Sequence, residues 1–328
     1  MIARRILTVT ALVAAFLLAG LPGPAHSAGW VQPAGAFREF VSIPPPQSAS
    51  APQPASAQQP APAISQPAWV AAPVTPVDTG FRLLYQLKFS EARAEFAVWE
   101  KQHPEDPMGY TAEAASYLFE EFNNQGVLTS EFFLDDKRLL GGIPGQANQR
   151  LGDAFRAAVS RAQKIGQARL DRDPRDPVGL LTMTMTNGML ADYTSLIEKR
   201  QLATLHLLGV SEGFAQRLLA VDPGQGDAYV ALGVSNYILA CLPAYKRFFL
   251  RMGGVHGDKG VGMRQLEQAT ASGHYLQPYA ELLVALTSLR EKRPQRAQAL
   301  LAHLSAEFPE NPLFARELAK LGAFRGPD

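Results

Sequence analysis

The sequence has a single cysteine and almost no net charge, and each shortage excludes a class of protein. Cys241 stands alone among 328 residues, so no internal disulfide bond and no cysteine-based metal site is possible. The chain has 31 basic and 30 acidic residues, which leaves a formal charge of +1. Because basic and acidic residues are nearly equal in number, the chain has no broad basic surface for nucleic acid or for an anionic membrane. We therefore expect a protein without disulfide bonds that does not bind nucleic acid.

Apolar runs long enough to cross a bilayer are also missing. Residues 6–21 form an almost entirely apolar run, shorter than the about 20 residues that a spanning helix needs. Arg4 and Arg5 precede this run, and Ala25-His26-Ser27 follows it with small residues that suit cleavage after Ser27. The pattern predicts a signal peptide over residues 1–27 and a periplasmic or secreted protein. No cysteine follows the run, which excludes a lipoprotein anchor.

Charged residues are absent between Pro44 and Pro76, where prolines are spaced by Ala, Gln and Ser. Such a composition cannot bury enough apolar surface to offset the entropy of the chain. We therefore predict a disordered tether over residues 28–77. The composition of residues 78–328 is that of a folded helical domain.

Proline recurs in the folded part at the places where one helical pattern ends and another begins. Four such proline-containing boundary segments occur, at residues 103–107, 173–177, 222–226 and 308–312. The first proline of each segment ends the preceding helix, and where a second follows it fits the first turn of the next helix. No run alternates polar and apolar residues with period two, so we expect no sheet. The sequence predicts an all-α solenoid of helical hairpins, in which the first helix covers residues 79–88 and a later one covers residues 226–250.

The spacing of small and aromatic residues resembles the tetratricopeptide repeat. Gly80, Ala92 and Phe96 fall at the spacings of that pattern's glycine, alanine and phenylalanine, and Tyr229 and Gly233 match its opening aromatic and glycine. The resemblance implies about four repeats, two of them with irregular insertions. A helical bundle without repeats remains the alternative.

Residues 228–315 are similar to the tetratricopeptide repeat protein 39 family and also to uncharacterised bacterial secreted repeat proteins. The residues that carry the family resemblance are Leu242, Pro243, Gly254, Gly257, Asp258, Lys259, Gly262 and Leu266. It implies a non-enzymatic adaptor. Members of the tetratricopeptide repeat protein 39 family lack a secretory signal, so their cytosolic partners cannot be carried over to this chain.

Placed on the repeat frame, a set of apolar side chains is predicted to face the concave side of the solenoid. The predicted binding residues are Leu181, Met185, Met189, Val230, Val234, Tyr237, Leu282 and Leu286. Either they line an apolar binding groove, or the protein's own inserted helices fill that groove. We expect Tyr237 and Met185 to be partly exposed, with Leu232 and Gly233 buried between helices.

Catalytic patterns are absent or out of place. Ser211 lies in a Gly-x-Ser-x-Gly pentapeptide, which marks a hydrolase only when it follows a strand. Here the surrounding pattern is helical, so we interpret Ser211 and Gly213 as small residues at a helix crossing. The histidines and acidic residues show no metal-ligand spacing. Gly257, Asp258 and Lys259 form a loop that does not match a phosphate-binding motif, and Asp258 is expected to cap the next helix. We predict no enzyme, no metal and no cofactor.

The basic and aromatic segment around Lys246, Phe248 and Arg251 allows two interpretations. It can lie on a membrane surface, or it can form an ordinary solenoid helix with a basic outer edge, which is the commoner case. The predicted function is an exported scaffold that binds a protein or peptide through its concave face. The alternative is a carrier of a lipid or apolar small molecule, in a groove that the inserted helices close.

Overall fold

The structure is a computed structural model that describes residues 74–252 and 254–323. These residues belong to the second of the two units into which the chain divides, Ser65–Asp328. The predicted signal peptide and nearly all of the predicted tether lie outside the described residues. Within the described part every regular element is a helix, in agreement with the predicted fold class. The fourteen helices are α1 Pro76–Tyr85, α2 Phe89–Gln102, α3 Met108–Asn124, α4 Ser130–Leu134, α5 Asp136–Gly141, α6 Gln149–Arg172, α7 Pro177–Leu196, α8 Gln201–Val221, α9 Ala228–Cys241, α10 Ala244–Met252, α11 Lys259–Ser272, α12 Gln277–Arg290, α13 Pro294–Glu307 and α14 Pro312–Ala323.

The helices pair as hairpins that follow one another in chain order. The pairs are α1 with α2, α3 with α6, α7 with α8, α9 with α11, and α12 with α13, and α14 packs on the end. The structure thus has five hairpins where the sequence predicts about four repeats. Two hairpins are interrupted, one by α4 and α5 and one by α10, as predicted. The fold is an all-α, tetratricopeptide-like array of helical hairpins.

The turns within hairpins repeat a backbone conformation. Leu87, Lys199 and Lys292 all have a positive φ near 60°, and each lies between the two helices of an uninterrupted hairpin. A left-handed residue is a common way to end a helix and reverse the chain. Its recurrence in three hairpins favours a repeat over a bundle without repeats.

The proline segments separate successive hairpins, as predicted. In the segment 173–177, Asp176 caps α7 by accepting a 2.6 Å hydrogen bond from the Gly179 amide, and Pro177 is the first helical residue. Arg169 donates two hydrogen bonds of 2.8 Å to the same carboxylate. This bidentate pair lowers the pKa of Asp176 and so keeps the cap charged.

The first helix begins earlier than the sequence pattern predicted. We expected a helix over 79–88 in a domain starting at residue 78, but α1 starts at Pro76. Thr75 and Asp78 form a capping box, in which the Thr75 hydroxyl accepts from the Asp78 amide and the Asp78 carboxylate accepts from the Thr75 amide. Val77 is buried. The predicted boundary between residues 77 and 78 therefore falls inside α1.

Close helix crossings lie where the repeat pattern places small residues. A Cβ on Gly80 would stand only 2.2 Å from the Phe96 ring, so these two pattern residues fit against each other. Leu232 and Gly233 on α9 are both buried, as predicted, and a Cβ on Gly233 would lie 2.7 Å from Leu266 on α11. The backbones of Gly233 and Gly262 approach so closely that a Cβ on Gly262 would lie 2.8 Å from the Gly233 carbonyl oxygen.

The array closes on itself, because the first helix packs against the last hairpins. The Tyr85 hydroxyl donates a 2.8 Å hydrogen bond to the Tyr275 carbonyl, and Asn311 Nδ2 donates a 2.7 Å bond to the Tyr85 carbonyl. The Phe81 and Tyr275 rings stack at 4.9 Å. In an open solenoid each repeat contacts only its neighbours. Here α1, α3, α7 and α12 contribute to one shared core.

Candidate functional site

Five of the predicted concave residues lie in this core, and the three on α9 lie in or against a second, smaller core cluster. Seven of the eight are buried, and only Val234 is partly exposed. Met185 is 6 % exposed and Tyr237 2 % exposed, so the expectation that both are partly exposed is wrong. Closure of the array turns the apolar inner faces of its helices toward one another. These residues therefore cannot contact a partner in the described conformation.

The insertion between α3 and α6 covers the inner helices. Phe132 in α4 and Ile143 after α5 are both buried in the main core. The Ile143 amide donates a 2.8 Å hydrogen bond to the carbonyl of Leu196, the last residue of α7. The Ser130 amide donates a 3.1 Å bond to the Glu317 carboxylate on α14. Of the two arrangements that the sequence left open, the structure thus has the groove that is filled by inserted helices.

Arg290, the last residue of α12, holds this insertion at its middle. Its guanidinium donates one hydrogen bond to the Phe133 carbonyl and another to the Asp136 carboxylate. The Arg290 side chain is only 12 % exposed, whereas Asp136 is largely exposed. The largely buried Arg290 guanidinium thus binds the main chain of Phe133 and the carboxylate of Asp136, which lies three positions further along the chain.

Tyr237 anchors a polar cluster at the ends of α9 and α12. Its hydroxyl donates a 2.9 Å hydrogen bond to Glu291, and Lys259 Nζ donates a 2.8 Å bond to the same oxygen. The hydrogen bond from Lys259 lowers the pKa of Glu291 and keeps it an acceptor. Burial raises the pKa of the nearby Cys241 thiol, which disfavours the reactive thiolate. This cluster is suited to fixing helices rather than to catalysis.

The predicted loop residues Gly257, Asp258 and Lys259 position α11 against α9. Asp258 caps α11 by accepting a 2.7 Å hydrogen bond from the Val261 amide, as expected. A Cβ on Gly257 would lie 2.4 Å from the Asn236 carbonyl oxygen, so a glycine is needed for this close approach. The contacts of Gly257, Asp258 and Lys259 with the rest of the protein account for these residues without a bound ligand.

Helix α10 differs from the ordinary core helix that the sequence favoured. The predicted helix over 226–250 is broken in two, because Leu242 adopts an extended conformation before Pro243. Not one of the nine residues of α10 is buried. Tyr245, Phe248 and Met252 are more than half exposed. The apolar residues before Pro243 do form a core helix, α9, but the basic and aromatic segment after Pro243 presents apolar side chains to solvent, so its interpretation as part of a core helix is wrong.

Ser211 is a structural residue within α8. It is buried, and its hydroxyl donates a 2.8 Å hydrogen bond to the Thr184 carbonyl on α7. This confirms its interpretation as a small residue at a helix crossing. Gly213, which we interpreted in the same way, would have open space around a Cβ.

Paired polar groups lie between α12 and α13, where the Glu281 carboxylate contacts His303 Nδ1 at 2.9 Å. Burial raises the pKa of Glu281 to about 7.

Across residues 74–252 and 254–323, no three His, Cys, Asp or Glu side chains are grouped so as to bind a metal ion. In the same part of the chain, no helix combines the length and the apolar character that a membrane span requires.

One partly exposed carboxylate has no partner among the described residues. Asp192, on α7, makes no hydrogen bond or ion pair there and lies close to the partly buried Tyr279 on α12. Burial raises the pKa of Asp192 to about 7. The folded state therefore binds a proton that the unfolded chain releases near pH 4.

Replacing Asp192 with asparagine should stabilise the protein at pH 7.5 by about 1–3 kcal/mol, because the penalty for a buried charge disappears. The pKa of Asp192 is raised in the folded state, so the wild type should lose stability as the pH rises from about 4 to about 7. In urea unfolding, Asp192→Asn should make the free energy of unfolding less dependent on pH between about 4 and 7. Asp171→Asn, on the exposed side of α6, is the matched control and should leave the pH dependence as it is in the wild type. Parallel pH curves for wild type and Asp192→Asn would contradict the assignment.

Comparisons with known proteins find matches among solved structures alone. No protein-family model matches the chain, and no curated protein matches it. Among solved structures, the chain is similar to a thermophilic TPR protein of Thermus thermophilus, with 16% identity and a TM-score of 0.43. The match covers 76% of this chain and 98% of that chain. The fold assignment rests on the pairing of the helices, and the likeness to the tetratricopeptide repeat protein 39 family stays a prediction.

Proposed function

We propose that this chain is an exported, non-enzymatic scaffold that binds a protein partner through a short segment of that partner. The observation that carries the proposal is the contact of Arg290 with the segment 130–136. Charge-assisted hydrogen bonds from an arginine to a carboxylate are strong and directional, and the second bond to a main-chain carbonyl adds specificity for a peptide. The partner segment would carry aromatic residues followed by an acid, as Phe132, Phe133 and Asp136 do. Export rests on the predicted signal peptide over residues 1–27.

The segment that occupies this position is suited to exchange. Helices α4 and α5 have five and six residues, far fewer than a helix needs to be stable by itself. Most of α5 is exposed, so the attachment of the whole insertion depends on Phe132, Ile143 and Arg290, together with polar contacts of Ser130 and Glu131 to α14. A competing segment of similar chemistry would therefore displace few core contacts.

A carrier of a lipid or apolar small molecule is the alternative from the sequence. It requires a cavity behind the inserted helices. Phe132 and Ile143 extend into that position and pack in the main core. The described contacts therefore favour the scaffold.

A peptide that copies residues 129–143 tests the proposal when it is added to a chain whose own segment is weakened. Phe132→Ser with Phe133→Ser in the full chain should bind the fluorescent peptide at least about tenfold more tightly than the wild type, where the attached segment competes at high effective concentration. Leu134→Ser, at an exposed site of the same helix, is the matched control and should behave like the wild type.

The contact made by Arg290 gives the second readout. Adding Arg290→Ala to the double variant should weaken peptide binding, and a peptide with serine in place of both phenylalanines should not bind. Circular dichroism checks that each variant is folded. If the folded double variant does not bind the peptide, or binds the serine peptide equally well, residues 130–136 are only a structural insertion.

A further inference from the structure

Exposed apolar side chains are concentrated in one short segment of the described chain. Eight large hydrophobic residues are exposed in the described part, and four of them, Tyr245, Phe248, Met252 and Val255, lie within eleven consecutive positions. The other four are scattered, at Val74, Val98, Leu134 and Leu202. Single exposed apolar residues are ordinary, whereas a cluster marks an interaction site.

The exposed residues of α10 form a stripe along one face. Tyr245, Phe248 and Met252 are spaced three and four residues apart, which places them on the same side of a helix. They are 57%, 62% and 67% exposed. Lys246, Phe249 and Leu250 are less exposed and lie on the side toward the rest of the protein. The apolar stripe therefore points outward.

A basic stripe runs beside the apolar one. Arg247 and Arg251 are exposed and four residues apart. From Ala228 to Gly257 the sequence contains no aspartate or glutamate. Among the described residues, no carboxylate forms an ion pair with Lys246, Arg247 or Arg251. The positive charge of this segment is thus local and uncompensated, although the chain as a whole is nearly neutral.

The helix is joined to α9 at its start, where Arg247 donates a 3.2 Å hydrogen bond to the Ala240 carbonyl. At its end the Val255 amide donates a 2.9 Å bond back to the Leu250 carbonyl, which closes the last turn. Beyond it, Gly257 packs closely on α9 and Asp258 starts α11. These contacts fix α10 as an outward projection of the interrupted hairpin.

We propose that α10 binds an anionic lipid surface, lying in its plane with Tyr245, Phe248 and Met252 inserted and the two arginines on the headgroup phosphates. An amphipathic helix with an aromatic face and a basic polar face has the composition of interfacial helices. A stable protein interface needs about 800 Å² on each partner, more than three side chains on a single projecting helix provide. A lipid surface needs no complementary shape.

Vesicle sedimentation of the full chain tests this inference. The chain should bind vesicles of equimolar phosphatidylcholine and phosphatidylglycerol, bind pure phosphatidylcholine less, and dissociate as salt is added. Phe248→Ser with Met252→Ser should lower the partition coefficient about tenfold or more, and Arg251→Gln should lower it by a smaller factor. All substituted side chains are exposed, so the variants should fold, which circular dichroism verifies.

Leu202→Ser with Arg150→Gln provides the matched control, because it removes one exposed apolar and one exposed basic side chain elsewhere. Every variant carries the same N-terminal residues, so differences between variants report on α10 alone. The proposal is wrong if the wild type does not bind the mixed vesicles, or if the α10 variants bind them as well as the control does. A lipid-free dimer in light scattering that Phe248→Ser abolishes would also overturn it, because the stripe would then be covered by a second copy.

Discussion

Tyr237→Ala should lower the free energy of unfolding by about 3–5 kcal/mol, the range measured for large aromatic truncations in a core. Tyr237 is almost completely buried and packs in a cluster with Met263, Leu266 and Val284. Its hydroxyl also holds Glu291, and Lys259 lies 5.8 Å from its ring. Removal of the ring leaves a cavity at the junction of α9, α11 and α12.

Tyr237→Phe is the control for this prediction. It keeps the ring and loses only the hydrogen bond to Glu291, so it should cost about 1 kcal/mol. Urea unfolding followed by circular dichroism measures both variants. If Tyr237→Ala costs less than Tyr237→Phe, Tyr237 lies on an open face and the closed array is wrong.

Gly262→Ala should cost about 3 kcal/mol or more, although alanine is the better helix former. A methyl group at position 262 would lie 2.8 Å from both the Gly233 carbonyl oxygen and the Tyr237 amide nitrogen. Both neighbours are backbone atoms, so α9 and α11 would have to move apart, which costs packing along the whole crossing.

The same substitution at Gly213 should have the opposite effect. Gly213 lies within α8, and a Cβ there would meet no atom within 4 Å. Gly213→Ala should therefore stabilise the protein by about 0.5–1 kcal/mol through helix propensity alone. Equal destabilisation by the two variants in thermal unfolding would contradict the close crossing of α9 and α11.

The sequence was sufficient to predict the elements because their determinants are local. Prolines three apart end one helix and start the next, and all four predicted segments lie between helices. Gly80 and Phe96 meet because the repeat pattern encodes the contact between the two helices of a hairpin. Thr75 and Asp78 are an equally local signature, a capping box before a helix, and identify the start of α1. We missed this signature because the proline-rich composition around it indicated a tether.

The burial of the site residues could not be predicted from the sequence, because it depends on contacts between distant parts of the chain. The apolar pattern of α7 and α12 shows which face avoids water, but not what covers it. An open groove and a filled one require the same residues at Met185 and Leu286. The decisive contacts, Tyr85 with Tyr275 and Arg290 with Phe133, join residues 190 and 157 positions apart.

The exposure of α10 could not be predicted from the sequence either. Its apolar and basic residues have the spacing of an ordinary amphipathic helix, for which burial of the apolar face is the usual outcome. The break at Leu242 and Pro243 turns the segment away from α9, so that its apolar stripe faces solvent. Sequence periodicity identifies a stripe but does not show whether a partner within the chain covers it.

Methionine oxidation by hydrogen peroxide, followed by peptide mass spectrometry of the intact folded chain, tests the central claim most directly. That claim is a closed array whose inner face is buried and whose α10 faces outward. Met185 and Met189 lie on the inner face, whereas Met252 is exposed on α10. Met252 should oxidise rapidly, and Met185 and Met189 should resist until the protein unfolds. Oxidation of Met185 and Met189 at the rate of Met252 would mean an open groove and would contradict the account.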